Sequence, residues 1–351
     1  MERARDPINS SPRQIRTMSK FAVIQVKQGI GDTIWHLPFV RAIASAAPDH
    51  RVSFFVPPRS HARELLAAEP AVSEVVYFAH HGNEIARAIN IVRLARLLRR
   101  RRFRRIYILD RTTRPAFAAW LSGIPERIGI GLGAQRLWIT NGGIDQKHFH
   151  AHPIGWLKAL MQTEGLALPS TEPNLALPPN AFAEIDARFG DLPKPWVVLG
   201  LGASHPSKDW PDVHWCALLS KLEEIPTRRT TFLVGGQDCV ARADNLIAAS
   251  GSRAINACNL SILQCAALIK RANVFAGNDS GPLNIAAAVG TESYGLFGLT
   301  PALEYSRYIH VVRASDDSAV RTTMDQIKPD RLLSRLIPRL LAERVETRPS
   351  A

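Results

Sequence analysis

The sequence predicts an α/β protein made of two Rossmann-like, doubly wound parallel-sheet domains in tandem. Three observations carry that prediction. Short apolar runs alternate with helical segments along most of the chain. A Pro-rich stretch interrupts the alternation before Trp196. The alternation then restarts with a second apolar strand and a second Gly-containing loop. At 351 residues the chain is long for one core, so two domains are the default.

In order, Phe21 to Val26 is a near-continuous apolar run, as in a buried parallel strand. It ends in Lys27-Gln28-Gly29-Ile30-Gly31-Asp32, and a helix is expected from Thr33 to Ala47, closed by Pro48. Strands at 52–56 and 74–78 flank a helix at 60–68. A long basic helix, Glu84 to Arg101, leads to a strand at 105–110. A helix at 115–122, a strand at 127–130 and a helix at 154–164 follow. Residues 171–195 carry six-fold Pro punctuation with their flanks and one short helix at 181–189, and are expected to be a linker. The second unit runs strand 196–200, helix 210–223, strand 230–234, helix 239–250, strand 254–256, helix 261–270, strand 272–276, helix 283–289 and strand 293–297. The expected units are therefore an unstructured extension at 1–19, domains at 20–170 and 196–327, and a helix with tail at 328–351.

Composition narrows the class. Hydrophobic residues make up 46% and charged residues 21%, as in a soluble globular protein. No apolar run reaches the ~18 residues of a membrane span, and the Arg-rich start lacks the apolar centre of a secretory signal. Cys216, Cys239, Cys258 and Cys265 show no paired or metal-type spacing and read as reduced thiols. The net charge of +13 concentrates at Arg93, Arg96, Arg99, Arg100, Arg101, Arg102, Arg104 and Arg105. Two readings stay open: a surface for anionic head groups or an acidic substrate, or a solvated helix end suited to the negative pole of the dipole. Only Phe103 interrupts the run and no nucleic-acid module is present, so no nucleic-acid partner is expected.

The chemistry concentrates at three turns. Gly277-Asn278-Asp279-Ser280-Gly281-Pro282 joins a buried strand to a small-residue helix, with Asp279 or Ser280 as N-cap and Pro282 in the first turn. Such a corner is an anion site suited to phosphate, or an ordinary strand–turn–helix connection. Asp32, at the equivalent turn of the first unit, is either an N-cap or a general base. Ser204 and Lys208, on the loop after the second unit's first strand, suit a diphosphate, or Lys208 is a surface lysine. No Walker A, GxGxxG or HExxH motif is present, which disfavours P-loop ATPases and nicotinamide dehydrogenases. The alternating histidines His148, His150 and His152 lack a matching carboxylate and read as loop residues.

Taken together, these segments resemble glycosyltransferase family 9, the heptosyltransferase family of lipopolysaccharide core assembly. The resemblance covers about 21–308. It rests on Gly31-Asp32-Thr33-Ile34-Trp35-His36-Leu37-Pro38, Arg105 to Asp110, Lys208-Asp209-Trp210-Pro211 with Trp215, Gly277 to Pro282 with Ala286-Ala287-Ala288, and Phe297-Gly298-Leu299-Thr300. It implies a GT-B fold, two Rossmann-like domains facing a cleft, with no metal or other cofactor. It implies an inverting transfer from a nucleotide-diphospho-sugar, typically ADP-heptose, to an acidic glycolipid or glycan acceptor bound by the first domain. The family's catalytic aspartate falls on Asp32, its phosphate-binding lysine and loop hydroxyl on Lys208 and Ser204, and its donor-binding Asp-Ser/Thr-Gly on Asp279, Ser280 and Gly281. Arg99, Arg100, Arg101 and Arg102 would then face an anionic membrane, with the protein in the cytoplasm and peripheral to the inner face of the inner membrane. Two positions depart from the pattern: Asn284 stands where the family commonly has His, and Ala203 where a second hydroxyl is common. Both are expected on the donor side. Two alternatives remain, the same fold with another nucleotide-sugar, and a non-catalytic nucleotide-sugar-binding protein, for which Asp32 and Lys208 together would be superfluous.

Overall fold

The computed structural model describes residues 20–148, 152–302, 306–317 and 320–341. The expected extension at 1–19, His150 and the tail beyond 341 lie outside them. The chain folds around two six-stranded, all-parallel sheets. The first contains β1 (Phe21–Ile24), β2 (Val52–Val56), β3 (Val72–Tyr77), β4 (Arg105–Ile108), β5 (Glu126–Gly129) and the two-residue β6 (Asn141–Gly142). Its helices are α1 (Ile30–Ser45), α2 (Ala62–Leu65), α3 (Glu84–Arg101), α4 (Thr113–Leu121) and α5 (Pro153–Thr163). After α6 (Pro179–Phe189), the second sheet is built from β7 (Trp196–Gly200), β8 (Thr230–Val234), β9 (Ile255–Asn256), β10 (Val274–Asn278), β11 (Ser293–Leu296) and β12 (Ile309–Val312). Its helices are α7 (Asp212–Glu224), α8 (Val240–Ser250), α9 (Ile262–Arg271), α10 (Gly281–Ala288) and α11 (Pro329–Leu341).

The strand orders are β3-β2-β1-β4-β5-β6 and β12-β11-β10-β7-β8-β9. In each sheet the order reverses beside the first strand, between β1 and β4 and between β7 and β10. Loops leaving the carboxyl ends there splay apart and leave a crevice, the position where open α/β sheets bind ligands. The loop leading to Asp32 leaves β1, the loop carrying Ser204 and Lys208 leaves β7, and Asp279 follows β10. Alternating apolar residues fill both faces of the first sheet. Val23 and Phe54 join the core shared with α1, and Ala22, Ile24 and Phe55 join a second core under α3 and α4.

Two local expectations change. The helix expected at 60–68 contracts to α2, because His61 takes a left-handed backbone (φ 50) and separates it from a preceding 3-10 turn. Within the segment 171–195 the helix expected at 181–189 is α6, extended to Pro179. α6 packs on α9, and Phe189 stacks edge-on against Phe232 at 5.1 Å, which in turn meets Trp196 at 5.3 Å. Strands β6 and β12 fall outside the expected elements, and each is an edge strand paired with one neighbour; β6 is only two residues long, whereas Ile309–Val312 carries a β-branched run. No described helix is long and apolar enough to cross a membrane.

Candidate active site

Gly29 adopts an extended N-cap conformation (φ −79, ψ 151), so α1 begins at Ile30. Asp32 is therefore the third helical residue and not the N-cap. Its Oδ2 accepts the Gly29 N–H at 3.1 Å, and its Oδ1 lies 3.8 Å from the Lys27 ammonium. Both side chains of that pair are more than a third exposed, so the pair contributes little to stability. A carboxylate in the first turn is favoured by the positive end of the helix. One turn further on, His36 Nδ1–H donates to the Asp32 carbonyl oxygen at 2.5 Å. Burial holds the His36 pKa below its ordinary value, so the ring is neutral and the Asp32 turn is fixed without an added charge.

The second half of the site is organised by Asn278, the last residue of β10, which is wholly buried. Its Oδ1 accepts the Trp210 N–H at 3.1 Å, and its Nδ2 donates to Gly202 O at 3.2 Å and to Asp209 Oδ1 at 2.8 Å. One amide thus ties the loop after β7 to the end of β10. Arg242 secures the same loop from α8 through Asp209 at 2.7 Å and the Trp210 carbonyl at 3.1 Å. With the loop held, Lys208 Nζ donates to Asp279 Oδ2 at 2.6 Å, and Thr300 Oγ1 donates to the same oxygen at 3.3 Å. Asp279 spends its carboxylate on Lys208 and does not cap α10. Ser280 holds the N-cap position in extended backbone (φ −147, ψ −179) but makes no side-chain cap bond. Its hydroxyl is buried without a hydrogen-bond partner among the described residues. Ser204 is exposed on the same loop as Lys208.

The two halves meet through α1 and α10. Trp35 Nε1–H donates to Asn284 Oδ1 at 2.6 Å, and Asn284 Nδ2 donates back to the Ser280 carbonyl at 2.7 Å. Backbones approach closely here. A Cβ on Gly31 would lie 2.7 Å from Asn284 Nδ2, and a Cβ on Gly281 would lie 3.3 Å from Ile30 Cδ1. These contacts set the starts of the two helices side by side. Asp32 from one sheet and the Asp279–Ser280–Gly281 turn from the other therefore share one crevice. Asn284, expected on the donor side, is a buried link between the two halves. Sequence reasoning missed the roles of Asn278, Trp35 and Arg242. The first two stand inside the motif segments, and Arg242 has no local signal at all.

Of the four arginines singled out, Arg99 and Arg100 are exposed near the end of α3. Arg101 turns back to Glu74 at 3.0 Å, and Arg102 ends the helix in left-handed backbone (φ 53). His152 caps α5, its Nδ1 accepting the Ile154 N–H at 3.3 Å, as suits a loop histidine. A cavity of about 850 Å³ opens at the opposite ends of α1 and α10, lined by Arg41, Ser45, Glu172, Leu177, Ala288 and Tyr308. It lies behind the crevice that holds the converging side chains.

Residues 91–325 match the family described as glycosyltransferase family 9 (heptosyltransferase). The lipopolysaccharide heptosyltransferase 2 of Escherichia coli (strain K12) is 25% identical over 345 residues, covering 90% of this chain and 97% of that protein. The structure of E. coli ADP-heptose lps heptosyltransferase II superposes with a TM-score of 0.72 at 22% identity, covering 92% of this chain and 98% of that one. E. coli heptosyltransferase WaaC with ADP superposes with a TM-score of 0.67 at 16% identity, covering 91% of this chain and 97% of that one.

Proposed function

The chain belongs to glycosyltransferase family 9, the heptosyltransferase family, and is a glycosyltransferase of GT-B fold; from that premise we propose that it transfers a heptose from ADP-heptose to an acidic lipopolysaccharide-type acceptor with inversion at the anomeric carbon. The observation that carries the reading is the meeting of α1 and α10 at Trp35 and Asn284. It brings a part-exposed carboxylate from one sheet up to an anion-suited helix start from the other.

In this mechanism Asp32 takes the proton of the acceptor hydroxyl as that oxygen attacks the anomeric carbon. The bond from that carbon to the diphosphate oxygen breaks, and the nucleoside diphosphate leaves toward the start of α10. The Ser280 hydroxyl and the backbone N–H groups of that first turn suit phosphate oxygens. Lys208, held over the turn by Asp279 at 2.6 Å, neutralises the charge that develops on the leaving group. Base and leaving-group site belong to opposite halves of the crevice, and a single displacement needs its nucleophile and leaving group on opposite sides of the sugar. No step requires a metal. The names of the relatives, ADP-heptose lps heptosyltransferase II and a heptosyltransferase with ADP, support heptose and ADP as the donor's parts.

A second reading keeps the chemistry and changes the donor. It is favoured by Ala203, which removes a hydroxyl from the loop beside Ser204. A panel of ADP-, UDP- and GDP-sugars in thermal unfolding separates the two. A ligand at about 100 times its Kd adds ~2.7 kcal/mol, so the true donor raises the unfolding temperature and the others do not. Stabilisation by a UDP- or GDP-sugar alone selects the second reading, and stabilisation by none of them removes both.

A further inference from the structure

The exposed side of α3 is one continuous stripe of two chemistries. Ile85, Ile89 and Val92 recur at helical spacing and are exposed, Ile85 at 73% of its surface. The same stripe continues through Arg96 and Arg99 and is flanked by Arg93 and Arg100, all exposed. The apolar half begins just after β3, so it lies at the carboxyl edge of the sheet, the edge from which the Asp32 loop leaves. The cationic half points away from that edge, ending about 27 Å along the helix. α4 packs beside α3 on the same face of the sheet, over a shared core. It adds exposed Trp120 and Leu121, and Trp120 stands 5.6 Å from Phe117 and 5.0 Å from Trp138. Exposed isoleucine, valine and tryptophan beside four arginines do not suit a solvated helix face, where the apolar half would be polar.

We propose that α3 and α4 form a bilayer-docking surface, with Ile85, Ile89, Val92 and Trp120 entering the acyl boundary of an anionic membrane and Arg93, Arg96, Arg99 and Arg100 on its head groups. The occupant is chosen by charge complementarity. Amphipathic faces with cations and tryptophan bind the interface in the plane of the membrane, and tryptophan prefers the head-group level. Docking in this pose turns the apolar end of α3, and with it the edge carrying Asp32, toward the membrane. The proposal rests on the reading of a glycolipid acceptor above and adds where and how the chain meets the lipid. It also revises the arginine set, since Arg101 is committed to Glu74 and Arg102 lies past the helix end in left-handed backbone.

The test is co-sedimentation of the full chain with phosphatidylcholine–phosphatidylglycerol vesicles, with pure phosphatidylcholine as control, at low and high salt. Wild type is expected to sediment with the mixed vesicles only. Each arginine near an anionic surface contributes roughly fivefold, so Arg93, Arg96, Arg99 and Arg100 all changed to Gln should weaken partitioning at least about a hundredfold and reduce its salt dependence. Ile85→Ser, Ile89→Ser and Val92→Ser together should also weaken it at least about tenfold while leaving salt dependence in place. Both variants alter exposed side chains, and circular dichroism checks their fold. Trp120→Phe should remove the blue shift of tryptophan emission that vesicles cause in wild type. Serine variants that bind vesicles like wild type overturn the proposal. So does light scattering in which they convert a wild-type dimer to monomer, which assigns the stripe to a second copy. The vesicles contain no acceptor, so the outcome is independent of transfer. Docking without nucleotide-sugar binding would remove the mechanism and keep this surface, and the reverse would remove only the surface.

Discussion

Asp32→Asn separates the two roles of that carboxylate, because the structure sizes the structural role. Asp32 supports its turn with one 3.1 Å bond from Gly29 N–H and a 3.8 Å approach to Lys27. An asparagine amide oxygen can still accept the first. The second joins two side chains exposed at 44% and 36%, the kind of pair whose median worth is about 0–1 kcal/mol. Loss of the negative charge beside the helix N-terminus adds about 0.3–1 kcal/mol. The folded protein should therefore lose no more than about 1–2 kcal/mol. The amide cannot take a proton at neutral pH, and a positioned base is worth ~10²–10⁴ in rate, or about 2.7–5.4 kcal/mol of barrier. The measurement is release of nucleoside diphosphate with the donor found in the sugar screen, beside donor affinity by calorimetry and unfolding by denaturant. The expected pattern is kcat down by two to four orders of magnitude, unchanged donor Kd and nearly unchanged stability. Asp32→Ala should match it in kcat and lose slightly more stability, because the Gly29 bond goes too. A folded Asp32→Asn enzyme with kcat within about threefold of wild type would refute the base assignment.

Three further outcomes follow from the geometry. Lys208→Ala should weaken nucleoside-diphosphate binding by roughly tenfold to a hundredfold, the range of a hydrogen bond to a charged group, with Ser204→Ala weaker in effect; calorimetry with wild-type affinity for Lys208→Ala would put the diphosphate elsewhere. Gly31→Ala places a Cβ 2.7 Å from Asn284 Nδ2, a side chain held at both ends, and should cost about 1–3 kcal/mol by denaturant unfolding. Adding Asn284→Ala removes the clash, so the double variant should be more stable than the sum of the singles, and strict additivity would deny the contact. The folded-state pKa of His36 lies below its ordinary value, so the unfolded chain takes up its proton first as pH falls. The stability involved is present above about pH 6.5 and lost below it, by at most about 1.4 kcal/mol per unit. Thermal scans of His36→Gln between about pH 7.5 and pH 5.5 should show a flatter loss than wild type; the flattening is partial, because burial lowers His80 and His152 as well. An unaltered slope would show that His36 is not buried neutral.

Much of this protein was legible along the chain. Buried parallel strands are apolar on both faces, so Phe21 to Ile24, Trp196 to Gly200 and Thr230 to Val234 stand out without reference to any partner. Turn chemistry is equally local, which is why Gly31-Asp32 and Asp279-Ser280-Gly281 mark the strand-to-helix corners. Where a signal depends on what packs across space, the sequence by itself determined nothing. The two-residue edge strand β6 is completed by the neighbour it bonds, and the chain shows the helix α6 but not its packing on α9. Asn278 reads as one more turn-former until its amide is seen to bind Gly202, Asp209 and Trp210, residues some seventy positions away. Lys208 and Asp279 are oppositely charged residues on separate motifs, and only the fold makes them a 2.6 Å pair. Asn284 stood as a departure on the donor side until Trp35, 249 residues earlier, was found bonded to it. Local preference fixes which residues form strands, helices and turns. Which side chains meet is fixed by the packing of α1 on α10, and that packing alone brings Asp32 and the phosphate-suited turn into one crevice.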